Sequence, residues 1–301
     1  MNTVISSPTR TGTEATTGMG LGPAIALGRV AQIYPFIDFF HDIGVPLDNA
    51  LKQYRLPPAL RENKDIIASS QAMFAFVSDV AREQGIDSVG WTAPRIDQMQ
   101  LRLLKKLRKS ATLLENLDRT CRYTHLDSNR VTAWLQKQGD DYFFCHRGSL
   151  LTGSKGVEVA TMMRTVVILS IIRAHLGRDW CPARIGFEMT GSINPIVQES
   201  LGNTQFYSNR EFGWIHLPKE VLCRSMKVPL GVELQTNNAD IAPAKDLVVA
   251  IKQLILPYLR DGVPSIQFVA DLANRSLRSF QRDLAERGVS YRELVKRTMF
   301  E

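Results

Sequence analysis

Three side chains near the end of the chain have types and spacing suited to reading DNA bases. Arg278, Gln281 and Arg282 lie in the stretch SLRSFQRDL. Gln281 follows Arg278 by three residues, and Arg282 follows Arg278 by four. At these spacings the three side chains project from one face of an α-helix. Arginine can donate two hydrogen bonds to O6 and N7 of guanine, and glutamine can pair with N6 and N7 of adenine. We therefore predict that these three side chains contact bases in a major groove.

The surrounding residues predict two short helices joined by a tight turn. Ser265 is placed to cap the first helix and Ser276 the second. Asn274 falls at the turn, because asparagine tolerates the left-handed conformation best after glycine. The residues predicted to be buried are Ile266, Val269, Ala270 and Ala273 in the first helix and Leu277, Phe280 and Leu284 in the second. This pattern is typical of a helix-turn-helix, although a helical hairpin with a basic, solvated face is an alternative.

The whole stretch PSIQFVADLANRSLRSFQRDLAERGVSYREL resembles the first helix-turn-helix of AraC/XylS-type transcriptional regulators. The shared features are the Pro-Ser start, Val-Ala in the first helix, Ser-x-Arg-x-x-Gln-Arg-x-Leu in the second, and Gly-x-Ser-Tyr-x-Glu-Leu at the entry to a linker helix. The preceding region is similar to the arabinose-binding-type N-terminal domain of such regulators. That similarity lies in GVPLDNALKQYRLPPALRE, in SSQAMFAFVSDVAREQGIDSVG, and between ARIGFE and WIHLP.

The resemblance implies a role for each matching position. It places the base contacts on Arg278, Gln281 and Arg282. The positions implied near the DNA backbone are Ser276, Ser279, Tyr291, Arg292, Lys296 and Arg297. Three residues depart from the family pattern: Asn274 stands where glycine is usual, Arg275 replaces an apolar residue, and Phe268 replaces a common acidic residue.

The resemblance also implies partners: double-stranded DNA, a small-molecule effector of unknown identity, a second copy of the chain in a homodimer, and RNA polymerase. Regulators of this type have two helix-turn-helix units, and this sequence stops at Glu301 inside the expected linker helix. We therefore expect a truncated form, or a member with one unit per subunit, that binds DNA weakly because it contacts few phosphates. The alternative is a dimerisation or ligand-binding module that does not bind DNA and carries a vestigial helix-turn-helix.

An effector pocket is predicted in the N-terminal domain at Trp134, Phe144 and His146, with ordinary core or surface positions as the alternative. Enzymatic activity is not expected, because the sequence contains no GxSxG, HExxH or P-loop motif. The four cysteines are far apart and have no histidine at ligand spacing, so neither a metal site nor a cofactor is predicted. The net charge of +7 favours an acidic partner, and a cytoplasmic location is expected.

The predicted fold is an α+β sensor domain, with a helical lobe and a small, mostly antiparallel sheet, followed by an all-α, incomplete helix-turn-helix domain. The expected divisions are a disordered tail (1–22), the sensor and dimerisation domain (23–225), a linker (226–245) and the partial DNA-binding domain (246–301). Helical periodicity begins near Pro23, a hairpin is predicted around Gly139, and a buried helix from about 156 to 176. A solvated basic helix face is expected around Arg102.

Overall fold

The computed structural model describes residues 8, 25–94, 99–148, 150–228, 230 and 241–300. Apart from Pro8, the predicted tail at 1–22 lies outside these residues, as does most of the predicted linker at 226–245. The described part of the chain is mixed α/β, with a small sheet and a C-terminal helical region. Within the described residues, no helix is both long enough and apolar enough to cross a membrane.

A short two-stranded β-ribbon, which the sequence analysis did not predict, begins at Leu27. Strands β1 (Leu27–Arg29) and β2 (Ile67–Ser69) pair antiparallel. A 3-10 helix, Val30–Gln32, follows β1, and the first α-helix begins only at Tyr34. The prediction that helix begins near Pro23 is therefore wrong, because residues 27–29 bond to a strand about forty residues away that local periodicity does not reveal.

A helical lobe surrounds the first hydrophobic core, which contains Phe36, Phe40, Phe76 and Leu107. Ser69 caps α3 by accepting a hydrogen bond from the Ala72 N–H at 3.4 Å. The helices of the lobe are α1 (Tyr34–Asp42), α2 (Asp48–Gln53), α3 (Ser70–Glu83), α4 (Val89–Thr92), α5 (Arg102–Leu107) and α6 (Leu113–Tyr123).

One arginine of the expected basic helix face is buried, at the start of α5. Arg102 is 1% exposed, and its Nη2 donates to Asp65 Oδ2 at 2.7 Å. Arg102 departs from the expectation because the carboxylate that receives its guanidinium lies 37 residues earlier in the chain, whereas Lys105, Arg108 and Lys109 are exposed as expected. Leu101, Leu104 and Leu107 are buried on the other side of this helix.

The sheet has five strands in the order β3-β4-β7-β5-β6. Strand β5 pairs with β6 in parallel, and the other pairs are antiparallel. The predicted hairpin is confirmed, with its turn at Gly139 and Asp140. Strands β6 and β7 follow one another in the chain, but β5 lies between them in the sheet. The strands are β3 (Thr132–Gln138), β4 (Asp141–Arg147), β5 (Arg184–Gly186), β6 (Gln205–Tyr207) and β7 (Gly213–Pro218).

Helix α7 (Val157–Leu176) packs between the lobe and the sheet, as its nearly continuous apolar sequence predicts. Met162 and Ile172 on α7 share a core with Phe144 and Ile215 of the sheet. On the lobe side, α4 approaches α7 closely at Gly90, where a Cβ would stand 2.6 Å from the Val159 carbonyl oxygen. The short helix α8 (Pro195–Ser200) covers one end of the sheet core through Val197.

Four helices form the C-terminal region: α9 (Leu247–Ile255), α10 (Ile266–Leu272), α11 (Leu277–Ala285) and α12 (Tyr291–Phe300). Their apolar faces meet in one core, to which the β-ribbon contributes Ile25, Leu27 and Ile67. The division of the chain at 226–245 stays a prediction. The shared core shows that the C-terminal helices pack directly on the first residues of the N-terminal part.

Candidate functional site

The turn between α10 and α11 is formed as the sequence predicts. Ser265 Oγ accepts a hydrogen bond from the Phe268 N–H at 3.1 Å, and Ser276 Oγ accepts one from the Ser279 N–H at 3.2 Å. Asn274 has φ +53°, the left-handed conformation expected at the corner. These caps satisfy backbone donors at the starts of both helices, so the residue at which each helix begins is set by its own sequence.

Helix α11 is sharply divided between a buried and an exposed face. Phe280 and Leu284 are 1% and 2% exposed and pack against the core of the C-terminal helices. Arg278, Gln281 and Arg282 are all exposed. Arg282 Nε lies 3.8 Å from Glu286 Oε1, a surface contact that contributes little to stability. The structure thus brings the three predicted base-reading side chains together on an accessible face.

The residues predicted near the DNA backbone fall into two groups. Ser276 and Ser279 lie at the start of α11, where their hydroxyls are hydrogen-bonded to each other at 3.0 Å. Arg292, Lys296 and Arg297 are exposed on α12, and Arg297 pairs with Glu293. Tyr291 is half-buried, and its hydroxyl donates to the Pro264 carbonyl oxygen at 2.6 Å. Burial raises the pKa of Tyr291 to about 12, and the ring ties α12 to the start of α10.

Helix α10 is docked on the lobe through Arg55. The Arg55 Nη1 donates to Asp271 Oδ2 at 2.6 Å, and its guanidinium lies 5.1 Å from the centre of the Phe268 ring. The Tyr258 hydroxyl donates to the Arg55 carbonyl oxygen at 2.6 Å, and Ser69 Oγ donates to the Leu272 carbonyl oxygen at 2.7 Å. Phe268, a departure from the family pattern, therefore lies at the contact between α10 and the N-terminal part.

A cavity of about 70 Å³ lies between α7, the sheet and the lobe. Its wall is mainly apolar and includes Phe74, Leu101, Phe144, Met163, Val167 and Ile171. Phe144 and His146, two of the three residues predicted at an effector pocket, both border this cavity.

Trp134 does not line the described cavity and lies on the opposite face of the sheet. It pairs directly with Cys145, and its ring packs 5.0 Å from that of Phe212. Successive residues of a strand point to opposite faces, so Trp134 and Cys145 face away from Phe144 and His146. The prediction grouped the three because they are close in the hairpin, although the strand alternation already separates them.

His146 is held by a buried arginine that the sequence analysis did not single out. Arg164 Nε donates to His146 Nδ1 at 2.9 Å, and Arg164 Nη2 pairs with Glu188. Burial, and then the neighbouring Arg164 charge, hold the pKa of His146 well below its usual range. The signal available in the sequence was Arg164 itself, a charged residue in the middle of an otherwise apolar helix.

The cavity also borders a segment that contacts the C-terminal region. Asp127 and Ser128 line the cavity, and Asn129 follows them. Asn129 Nδ2 donates to the Ala244 carbonyl oxygen at 2.5 Å, and Asn129 Oδ1 accepts from the Leu27 N–H at 3.0 Å. The Ala244 N–H donates to Gln253 Oε1 on α9 at 2.7 Å. One short segment therefore joins the cavity wall to the β-ribbon and to the approach to α9.

The carboxylate of Asp127 is bound by two backbone N–H groups at the start of α5. Its carboxylate accepts from the N–H groups of Arg102 and Leu103 at 2.9 and 2.8 Å. Burial nevertheless raises the pKa of Asp127 to about 6, while these bonds and the nearby guanidinium groups of Arg29 and Arg102 act in the opposite direction.

Comparisons with known proteins address the N-terminal part directly. Residues 44–192 match the family model described as the arabinose-binding domain of AraC transcription regulators, N-terminal. Among solved structures, the chain is similar to the crystal structure of the transcriptional regulator CdpR from Pseudomonas aeruginosa. The two are 13% identical with a TM-score of 0.42, over 89% of this chain and 82% of that chain. A search of curated proteins finds no match. The match shows that residues 44–192 are similar to the N-terminal domain of AraC-type transcription regulators.

Proposed function

We propose that this chain is a transcription regulator that binds double-stranded DNA through α11 and is controlled by a small molecule bound in the cavity beside His146. The observation that carries the DNA-binding part is the accessible face formed by Arg278, Gln281 and Arg282, opposite the buried Phe280 and Leu284. Helices α10 and α11 would act as a helix-turn-helix, with α11 in the major groove.

The electrostatics of the chain support this proposal. The net charge of +7 attracts a polyanion, and Arg292 and Lys296 add exposed positive charge on α12. Phosphate contacts from such residues would position α11, while its arginines and glutamine would discriminate between bases. Because a single reading helix contacts few phosphates, we expect the 301-residue chain to bind weakly and with a marked dependence on salt.

Control by an effector requires that the cavity and α11 be coupled. We assign this coupling to Asp127, Ser128 and Asn129. A molecule in the cavity would contact the first two, and Asn129 would pass the change to Ala244 and to Leu27, which packs in the core of the C-terminal helices. Arg55, where α10 contacts the lobe, is a second point at which the docking of α10 would respond.

The experiment for DNA binding is selection from a pool of random duplexes with the 301-residue chain, followed by titrations of the enriched duplex in increasing salt. We expect enrichment of a defined sequence and an affinity that falls steeply with salt. Arg282→Ala should weaken binding to the enriched duplex by about 1 to 3 kcal/mol and relax the preference at one position. Arg61→Ala, an exposed arginine of the lobe, is the matched control.

A contrasting result would favour the non-DNA-binding module. Stable dimers at low salt that retain no DNA, together with no enrichment of any sequence, would overturn the assignment of α11. Homodimer formation and contact with RNA polymerase remain proposals that follow from the family, and analytical ultracentrifugation tests the first of them.

A further inference from the structure

We infer that the cavity beside His146 takes a small, uncharged and largely apolar molecule with a hydrogen-bond acceptor, and not a free sugar. This inference rests on the proposed function in that it assigns the chemistry of the effector. It concerns the ligand class alone, so it can fail while the proposal for α11 stands.

The wall of the cavity sets the first requirement. The side chains of Phe74, Met163, Val167 and Ile171 are buried and offer only apolar surface. Burying apolar ligand surface against them is favourable by about 25 cal/mol per Å². An ionised ligand would lose its hydration without an unpaired opposite charge to receive it. The Arg164 guanidinium at the wall is already paired with Glu188, and the Asp127 carboxylate accepts from two N–H groups and lies near the charges of Arg29 and Arg102.

Most of the polar groups at the wall that could bind hydroxyls are already engaged. Asp127 accepts from two backbone N–H groups, and Gln32 Nε2 donates to the Asp127 carbonyl oxygen at 2.5 Å. The Thr120 hydroxyl donates to the Asn116 carbonyl oxygen at 2.8 Å. A sugar carries a hydroxyl on nearly every carbon, and each one buried without a partner costs about 1 to 3 kcal/mol. The wall therefore disfavours a sugar.

Two wall residues supply donors without a partner among the described residues. Arginine can only donate, so the bond from Arg164 makes His146 Nδ1 an acceptor and places the imidazole proton on Nε2. His146 is 1% exposed, and its Nε2 has no hydrogen-bond partner within the described part of the chain. Ser128 is 3% exposed, and its Oγ is likewise unsatisfied there. A carbonyl or ether oxygen of a ligand would satisfy either donor.

The ring of His146 is fixed in place from a second side. It lies against Gly213 of β7, where a Cβ would stand 2.3 Å from His146 Cε1. With Arg164 on one nitrogen and Gly213 beside the ring, His146 has little freedom to turn. A fixed donor in an apolar wall selects for the position of one acceptor atom, which is how ligand pockets achieve specificity.

The test uses three five-carbon probes of different polarity: cyclopentanone, cyclopentane and L-arabinose. Each is titrated into the full chain labelled with ¹³C at the methionine methyl groups, and the Met163 signal, assigned with Met163→Leu, reports on the cavity. We expect a saturable shift with cyclopentanone, a weaker one with cyclopentane, and no shift with L-arabinose.

Two variants locate the effect. Ser128→Ala should weaken cyclopentanone binding about five-fold and leave cyclopentane unchanged, because one hydrogen bond is lost. Ser170→Ala is the matched control, since the Ser170 hydroxyl donates to the Val166 carbonyl oxygen and does not border the described cavity. Ala160→Val narrows the cavity and should abolish the shift of the Met163 signal with cyclopentanone and with cyclopentane.

Two outcomes would overturn the inference. A saturable Met163 shift with L-arabinose that disappears in Ala160→Val would make this cavity a sugar site and would leave an effector role intact. No shift with any probe would remove the cavity as a site for this ligand class. Neither outcome affects the selection experiment for α11, so the two proposals fail separately.

Discussion

Arginine side chains have different roles around the cavity and on α11. Around the cavity and the lobe, Arg102 and Arg164 are almost fully buried and pair with Asp65 and Glu188. On α11, Arg278 and Arg282 are exposed. The buried guanidinium groups hold distant segments of the chain together. The exposed ones contribute little to the fold and are accessible to a partner.

Buried arginines should therefore affect the stability of the fold, and exposed ones the recognition of a partner. A buried arginine that loses its partner, or a partner that loses its arginine, leaves an uncompensated charge in a poorly solvated place. An exposed arginine can be removed with little effect on the fold. Stability and DNA affinity should therefore respond to different arginines, and the following changes test that separation.

The largest loss of stability is expected for Arg102→Ala. The substitution removes two hydrogen bonds to Asp65, at 3.2 and 2.7 Å, from a buried pair. We expect a loss of about 3 to 5 kcal/mol in the free energy of unfolding, measured by urea denaturation. The exposed pair of Arg61 with Asp48 provides the control, because Arg61→Ala should cost less than about 1 kcal/mol. Equal losses for the two variants would contradict the distinction.

A pH-dependent gain is expected from Asp127, beside the same buried arginines. Its pKa in the folded chain is about 6, above the ordinary value of 3.8. The folded state therefore takes up this proton first as pH falls, so this group adds stability from about pH 6 downward, complete below about pH 4. The shift corresponds to about 3 kcal/mol.

Asp127→Asn isolates this contribution from that of His146, whose lowered pKa acts in the opposite direction. The unfolding free energy of the wild type minus that of Asp127→Asn should rise by about 3 kcal/mol between pH 7 and pH 4. Parallel curves would show that Asp127 titrates normally.

An intermediate effect is expected at Arg55, which is half-exposed between the lobe and α10. Arg55→Gln removes the contact with the Phe268 ring, which is worth about 1 kcal/mol at such a site. We expect a modest loss of stability and faster hydrogen exchange in α10. Unchanged exchange in α10 would mean that Arg55 does not hold this helix on the lobe.

The smallest effect on stability is expected for Arg278→Ala and Arg282→Ala. Both side chains are exposed, so each change should alter the free energy of unfolding by less than about 0.5 kcal/mol. Thermal unfolding of the two variants beside the wild type checks this. A large loss in either variant would assign that arginine to the fold.

How far the sequence predicts this structure depends on the distance over which each interaction acts. The caps at Ser265 and Ser276 and the left-handed Asn274 were predicted because each depends on residues within one turn of helix. The burial of Phe280 and Leu284 follows from their spacing in the same helix. The accessible face of α11 could therefore be predicted from the residues of the helix and its cap.

The parts that could not be predicted depend on contacts between distant residues. The burial of Arg102 requires Asp65, which lies 37 residues away. Strand β5 lies between β6 and β7 because it pairs with both, and these pairings join segments that are distant in the chain. The cavity is formed where α7, the sheet and the lobe meet, which no single segment reveals. Trp134 lies on the other face of the sheet from Phe144 and His146, because the register of the hairpin places it opposite Cys145.

The most direct test of the central claim is the ratio of affinities for the enriched duplex and a scrambled duplex, measured at one salt concentration for the wild type and for Arg278→Ala/Arg282→Ala. The account predicts that the ratio falls towards one in the double variant, while its unfolding curve matches that of the wild type. A ratio that stays at the wild-type value in a folded double variant would contradict the claim that α11 reads the bases.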